Sequence, residues 1–582
     1  MKKLVAIVLA AMLLMTGCST KAPEATGGMK AGTYKATAAG FHGDITLEVT
    51  VDAEKITDIQ ILEQTETEGI GAAALPELVT KVLDNQTLGI DGISGATVTS
   101  NGFKTAMEDA LTQAGADMDK MTKPVESSSA TKEEVTLDAD IVVVGGGAAG
   151  LTAALSSQQN GNSVILLEKT GVVGGASAMA GAGTMATGSQ WQKEDGYEDS
   201  PEQLKADMLK NGHNNNDEAT LDIYVNTTGA AFDWLVSEDG ANVPYQRDGK
   251  PTRSYSGQGR GAGVVSSLSE SFTTGGGTLM TNTPATELIV EDGVVKGVKA
   301  SDETKNYTIN AKAVILATGG FGANGDMVKE YNTYWPAIPE GIKTTNVAGA
   351  TGDGIELGLQ AKASLTGMGM VQLMPTASAV TGQLADGLLV PSQYYMFVNQ
   401  EGNRFVNEYA ERDVLASAAL SQTDGVFYHI ADQNMIPTLQ NKATQEQVDA
   451  MAEKGILYKA DSLEALAEQI GCPSENLIAS VDKYNSYVDA GNDPDFGKNV
   501  FGSKIETAPF YAVIEKPSVH HTMGGLTINT EAQVLNEAGE AIQGLYAAGE
   551  VTGGIHGGNR VGGNAIADIM VFGRIAGANA AK

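Results

Sequence analysis

Three glycines, Gly145, Gly147 and Gly150, follow directly on the apolar run Ile141-Val142-Val143-Val144 in the spacing G-x-G-x-x-G. Each has a separate use if a pyrophosphate lies there. The first permits a tight turn, the second lets backbone N–H groups approach the phosphates, and the third lets the next helix pack close to the sheet. Ala149 sits inside the same turn and joins Gly147 as a candidate phosphate contact. Leu151 to Gln159 continues as helix, and Ser163-Val164-Ile165-Leu166-Leu167-Glu168 reads as a second strand ending in an acid. Glu168 lies 18 residues after Gly150, near the spacing at which a carboxylate binds an adenosine ribose hydroxyl. The glycine spacing alone is a weak signal. Strand, turn, helix, second strand and acid together specify a βαβ unit that fits FAD or NAD.

The remaining elements must position that unit. A chain of 582 residues exceeds what one core organises, so two to four domains are expected. Its 71 glycines fall in short clusters, a pattern expected where backbone approaches a large ligand at several places. The formal net charge of -33 argues against nucleic acid and against an anionic membrane surface. Any anionic substrate then needs a local Arg or His site. The two cysteines, Cys18 and Cys472, leave no disulfide framework, iron–sulfur cluster or CxxCH haem. No metal is expected, and redox chemistry must use an organic cofactor.

Residues 1–18 have a basic start, an apolar run and the ending Met15-Thr16-Gly17-Cys18, which resembles a bacterial lipobox. Cys18 is the expected lipidation site, which would anchor the protein to the cell membrane on its extracytoplasmic side. A small α+β unit is expected over 32–114, with alternating strands near residues 45–51 and 56–62 and helical spacing at 75–83 and 102–111. The polar stretch 115–136 reads as a linker. The large α/β domain is expected in two parts, 137–370 and 511–582, around an inserted α+β capping domain at 371–510.

Later segments narrow the choice of dinucleotide. They are Gly174-Gly175-Ala176-Ser177, Ala180-Gly181-Ala182-Gly183, Thr351-Gly352-Asp353-Gly354 and the block His520-His521-Thr522-Met523-Gly524-Gly525 … Ala548-Gly549-Glu550 … Asn559-Arg560-Val561-Gly562-Gly563-Asn564-Ala565. On these, residues 138–582 resemble the flavoproteins of the succinate dehydrogenase/fumarate reductase superfamily, especially flavocytochrome c-type fumarate reductases and urocanate reductases. The resemblance implies a Rossmann-like FAD-binding domain with non-covalent FAD. It implies that Glu550 binds the ribityl region and that Ala565 and Ile566 approach the isoalloxazine ring. Ser177, Ala182 and Gly183 should line the other side, with Ala176 and Asp353 as further cofactor contacts. It places a substrate carboxylate between His520 and Arg560, where a guanidinium offers a bidentate clamp. In the segment Glu411-Arg412-Asp413 it makes Arg412 the proton donor. The implied reaction adds hydride from FAD N5 to the β-carbon of an α,β-unsaturated acid while Arg412 protonates the α-carbon.

The chain departs from the fumarate reductase pattern where a second carboxylate would bind. Met374 stands in place of a His before Pro375-Thr376, and Asp386-Gly387-Leu388-Leu389 replaces a Thr-Glu pair. A second carboxylate there would be desolvated and unpaired. Met374 with Leu388, Leu389 and Tyr394 or Tyr395 suits an apolar or aromatic β-substituent, as in cinnamate-like acids, with urocanate and then fumarate as alternatives. The stretch Ser94-Gly95-Ala96-Thr97 resembles FMN-binding domains in which that Thr carries FMN through a phosphoester, attached by a flavin transferase. Covalent FMN at Thr97 would then pass electrons from a membrane donor system to FAD. A flavin electron-carrier lipoprotein without its own substrate is the rival reading, as is a ketosteroid dehydrogenase-like oxidase.

Overall fold

A computed structural model describes residues 28–40, 43–66, 71–93, 96–124, 132–247, 249–384, 392–394, 396–435, 445–580 and 582. Cys18, Asp386 and its neighbours through Pro391, and Tyr395 lie outside the described residues, as does the side chain of Thr97.

The N-terminal unit is a three-stranded antiparallel sheet, Gly32–Ala39, Asp44–Val51 and Ile56–Glu63, paired in sequence order. Alternation along the middle strand turns Ile45, Leu47 and Val49 inward, each fully buried. Helix Thr97–Gln113 covers them with Phe103, Ala106, Met107 and Ala110, whose spacing of three and four keeps them on one face. Fully burying each of the larger side chains contributes about 1.5–3 kcal/mol. The stretch expected to be a linker is partly ordered. Met121 O accepts from Leu88 N–H, and strand Glu133–Val144 begins inside it. The unit packs on the next domain, since a Cβ on Gly171 would meet Ile93 at 2.9 Å.

Strand Glu133–Val144 lies inside an eight-stranded sheet, parallel to Val164–Leu167 on one side and to Lys305–Leu316 on the other. Its last four residues are buried on both faces, as a covered parallel sheet requires. Ala541–Ala547 joins the same sheet in parallel with Lys305–Leu316, so the chain returns to it some 400 residues after the glycine turn. Helix Asn564–Asn579 then packs on helix Ala148–Gln159. Small residues allow the approach: a Cβ on Gly577 would lie 2.2 Å from Ala153 O.

The inserted domain has its own four-stranded antiparallel sheet, ordered Met396–Asn399, Phe427–Asp432, Phe510–Glu515 and Leu457–Ala460. Tyr484, Tyr511 and Leu477 anchor a separate core. This sheet runs past the boundary expected at residue 510, because Phe510–Glu515 pairs with Phe427–Asp432 along its whole length and with Leu457–Ala460 along its first four residues. At the other edge Val371–Met374 pairs with Ser518–Thr522, outside that sheet. The overall class is the expected one, an α/β dinucleotide-binding domain carrying an α+β insert.

Candidate active site

A long cavity runs from the glycine turn to the C-terminal glycine block. Gly147, Ala149, Glu168, Ala176, Ser177, Asp353, Glu550 and Ala565 all lie on its wall. Gly145 has φ +111°, and a Cβ there would strike Ala317 O at 2.4 Å. Gly147 differs. A Cβ on it would meet nothing nearer than Gly174 O at 3.8 Å, so the protein's own packing does not demand a glycine there. A group approaching the N-terminus of helix Ala148–Gln159 from the cavity does. That cradle fits the pyrophosphate of a dinucleotide.

Glu168 is buried and accepts from Gly146 N–H and from both the N–H and the hydroxyl of Thr170, all at 2.8 Å. It ties the turn to the end of the second strand, and a carboxylate keeps lone-pair capacity for a ribose hydroxyl. Asp353 is held by Lys169 Nζ at 2.6 Å, on the same side. At the other end Glu550 accepts from Thr522 N–H at 2.9 Å and lies 3.3 Å from His521 Nδ1. Burial alone would raise its pKa, but the His521 ring and the Thr522 donors hold it down at about 2. Ala182, Gly183 and Ile566 are not among the lining residues. Gly183 O lies beside Gly563, the cap of the helix that carries Ala565 and Ile566.

Three cationic or imidazole groups come together beyond that end. Arg560 is 7% exposed, and its NH2 donates to Gln372 Oε1 at 3.2 Å. Arg412, at the start of helix Arg412–Leu420, donates from NH1 to the same oxygen at 3.2 Å. Two guanidiniums thus converge on one neutral amide. Burial first, then the charge of Arg412, pushes the Arg560 pKa downward, which is an electrostatic demand for an anion. Its Nε has no hydrogen-bond partner among the described residues. Glu408, four residues before Arg412, is taken by Arg404 at 2.7 Å and by Lys498 at 3.5 Å.

His520 sits in a β-bulge: Gln372 pairs with His521 and Leu373 with Val519, leaving His520 unpaired in the ladder. A bulge re-aims a side chain, here to Thr345 Oγ1, 2.7 Å from His520 Nδ1. Desolvation, Arg560 and Arg412 hold its pKa well below the usual range, so it is neutral at pH 7. Met374 is buried two residues along the strand from Gln372 and therefore faces the same side. Tyr394 packs with the core of the insert, its ring against Gly502.

Sequence reasoning gave no role to Gln372, Asn559, Asp413 and Asp568, and passed over His521 in favour of its neighbour His520. Gln372 Nε2 donates to Asn559 Oδ1 at 2.7 Å, and Asn559 Nδ2 donates to Asp413 Oδ1 at 3.1 Å. Asp568 lines the cavity and lies 3.4 Å from His556 Nε2. His521, Asn559 and Asp413 each adjoin a singled-out residue, and Asp568 follows Ala565 at helical spacing, which is the signal that was available; Gln372, two residues before Met374 on a strand, carried no such signal.

A largely parallel sheet with a glycine-turn cradle, opening onto buried Arg560 and half-buried Arg412, is the arrangement of a flavin-type oxidoreductase. Residues 140–566 match the FAD binding domain and residues 40–112 the FMN-binding domain. An NADH:acrylate oxidoreductase of Vibrio harveyi is 40% identical over 94% of this chain and 61% of its own length. A urocanate reductase of Eggerthella lenta is 37% identical over 98% of this chain and 96% of its own. The open conformation of a flavocytochrome c3 fumarate reductase superposes with TM-score 0.65 at 34% identity, covering 80% of this chain and 81% of that one. The chain belongs to this family of FAD-binding oxidoreductases, and its FMN-binding domain adds FMN as a second cofactor.

Proposed function

We propose that the protein reduces the C=C bond of an α,β-unsaturated carboxylate, with an acrylate bearing an apolar or aromatic β-substituent as its substrate. The observation that carries this reading is the pair Arg412 and Arg560 on one amide oxygen beside neutral His520. When bound, FAD supplies hydride and FMN supplies electrons to FAD. The chain's own groups do the rest. Arg560 clamps the carboxylate, and His520 adds a neutral N–H donor as enolate-like charge develops. Arg412 gives a proton to the α-carbon and recovers it from solvent. Two electrons and two protons convert the enoate to the saturated acid. Met374 beside Gln372 supports an apolar far end, where urocanate or fumarate would need polar partners. The acrylate and urocanate relatives support the substrate class.

Reduced methyl viologen with the FAD-loaded protein tests this directly. Cinnamate is expected to bleach the dye faster than urocanate, fumarate or acrylate. A panel in which no acid bleaches it, with both flavins present, would falsify the reading. Arg412→Ala should abolish turnover while FAD stays bound; retained turnover removes the proton-donor role.

We further propose that Cys18 is lipidated on the extracytoplasmic side of the membrane and that Thr97 carries FMN through a phosphoester. The lipobox and the Ser94-Gly95-Ala96-Thr97 stretch support these readings.

A further inference from the structure

The proposed chemistry depends on where Arg412 is held, and Arg412 opens a helix of the insert, not of the FAD-binding domain. The next residue, Asp413, reaches across to that domain. Its Oδ2 lies 2.6 Å from His213 Nε2 and accepts from the Tyr334 hydroxyl at 3.1 Å, while its Oδ1 accepts from Asn559 Nδ2 at 3.1 Å. All three donors belong to the FAD-binding domain. We propose that Asp413 is a positioning residue: its carboxylate latches the insert onto the FAD-binding domain and so seats Arg412 over the substrate.

The latch is joined to the site at both ends. Asn559 is the neighbour of Arg560, and its Oδ1 accepts from Gln372, whose own oxygen accepts from Arg412 and Arg560. Asp413, Asn559, Gln372 and Arg412 therefore form a closed circuit of hydrogen bonds and one backbone link. The donor side is braced as a unit. Gly212 O accepts from Gly558 N–H at 2.8 Å, tying the loop that carries His213 to the block that carries Asn559 and Arg560. His213 holds a left-handed backbone with φ +53° and its ring stacks on Tyr334. Burial, with the Asp413 charge, keeps the Tyr334 phenol far above its usual pKa, so it remains a donor. A carboxylate is the group for this place. Three donors converge on it, and an amide would turn its own N–H groups toward one of them. An arginine has a long, rotamer-rich stem, and a misplacement of about 1 Å at a reacting group costs roughly 100-fold in rate.

The proposal rests on the enoate-reductase reading, so the experiment has two arms. Both use full-length, FAD-loaded protein. The first measures reoxidation of dithionite-reduced flavin at saturating concentration of whichever acid the wild type accepts. Asp413→Asn is expected to keep its FAD, to bind the acid within a few-fold of wild type through Arg560, and to reoxidise roughly 100-fold more slowly. Asp413→Glu should recover part of that loss. The second arm follows hydrogen exchange in Arg412–Leu420 without substrate, which should accelerate at least tenfold, by the same order, in Asp413→Asn. If Asp413→Asn does not hold FAD, the double variant His213→Ala with Tyr334→Phe removes two of the three donors and carries both arms. Reoxidation at the wild-type rate, or unchanged exchange, overturns the proposal. A wild type inert to every acid removes the enoate reading instead, and the exchange arm alone then decides whether Asp413 seats the insert.

Discussion

At the residue scale, the glycines of one motif have different reasons to be glycine. Gly150 has no room for a Cβ, which would lie 1.9 Å from Gly145 O, whereas Gly147 has room on the protein side. Gly147→Ala is therefore expected to fold with an unchanged melting temperature as apoprotein but to purify with little FAD. Gly150→Ala should lower the apoprotein's melting temperature as well. The check is flavin absorbance together with thermal unfolding of the apoprotein. Equal FAD content in wild type and Gly147→Ala would mean the pyrophosphate lies elsewhere. His520 and His521 make the same point: adjacent in sequence, they are split by a bulge, one toward Thr345 and one toward Glu550.

At the scale of elements, the insert is organised around buried charge. Arg404 is paired with Glu408 and Asp493 at 2.7 Å each, Lys498 lies 3.5 Å from Glu408, and both lysine and acids are essentially inaccessible. Removing one partner of such a cluster leaves uncompensated charge, so Arg404→Met should destabilise the insert by about 3–5 kcal/mol. A calorimetric scan is expected to show the insert melting ahead of the FAD-binding domain. Burial lowers the Lys498 pKa from 10.5 to about 8, against the pull of Glu408. The unfolded insert then binds more protons than the folded one between these values. Stability from this group therefore rises with pH from about 8 to 10.5. Denaturant midpoints at the two ends of that window measure the rise, and Lys498→Met should remove it.

At the scale of the whole molecule, two flavin domains share one chain and touch. Ile93 of the N-terminal unit rests against Gly171, three residues after the ribose-binding candidate Glu168. The proposed phosphoester at Thr97 predicts that Thr97→Ala loses the flavin that survives denaturation and gel electrophoresis but keeps the FAD that does not. A fluorescent band in that variant would move the attachment to another residue. The N-terminal unit has its own buried sheet and helix, so the substitution should leave its hydrogen-exchange protection in place. The proposed lipid anchor predicts that Cys18→Ala shifts the protein out of the membrane fraction.

The sequence by itself determined what depends on neighbours in the chain. The βαβ unit, its glycine turn and Glu168 are legible because turn geometry and strand–helix spacing are local. Arg412, Arg560 and His520 could be singled out through the family resemblance because each stands in a short contiguous motif. Tertiary structure alone decided what meets across the chain. Gln372 bridges residues 412 and 560, Asp413 meets His213 200 residues away, and strand Phe510–Glu515 belongs to the insert. No periodicity encodes these, because a hydrogen bond between distant segments leaves no mark on the spacing of either one. The physical reason is the same at both ends of the cavity: the fold returns the C-terminal glycine block to a sheet begun at Glu133, and only that return creates the site.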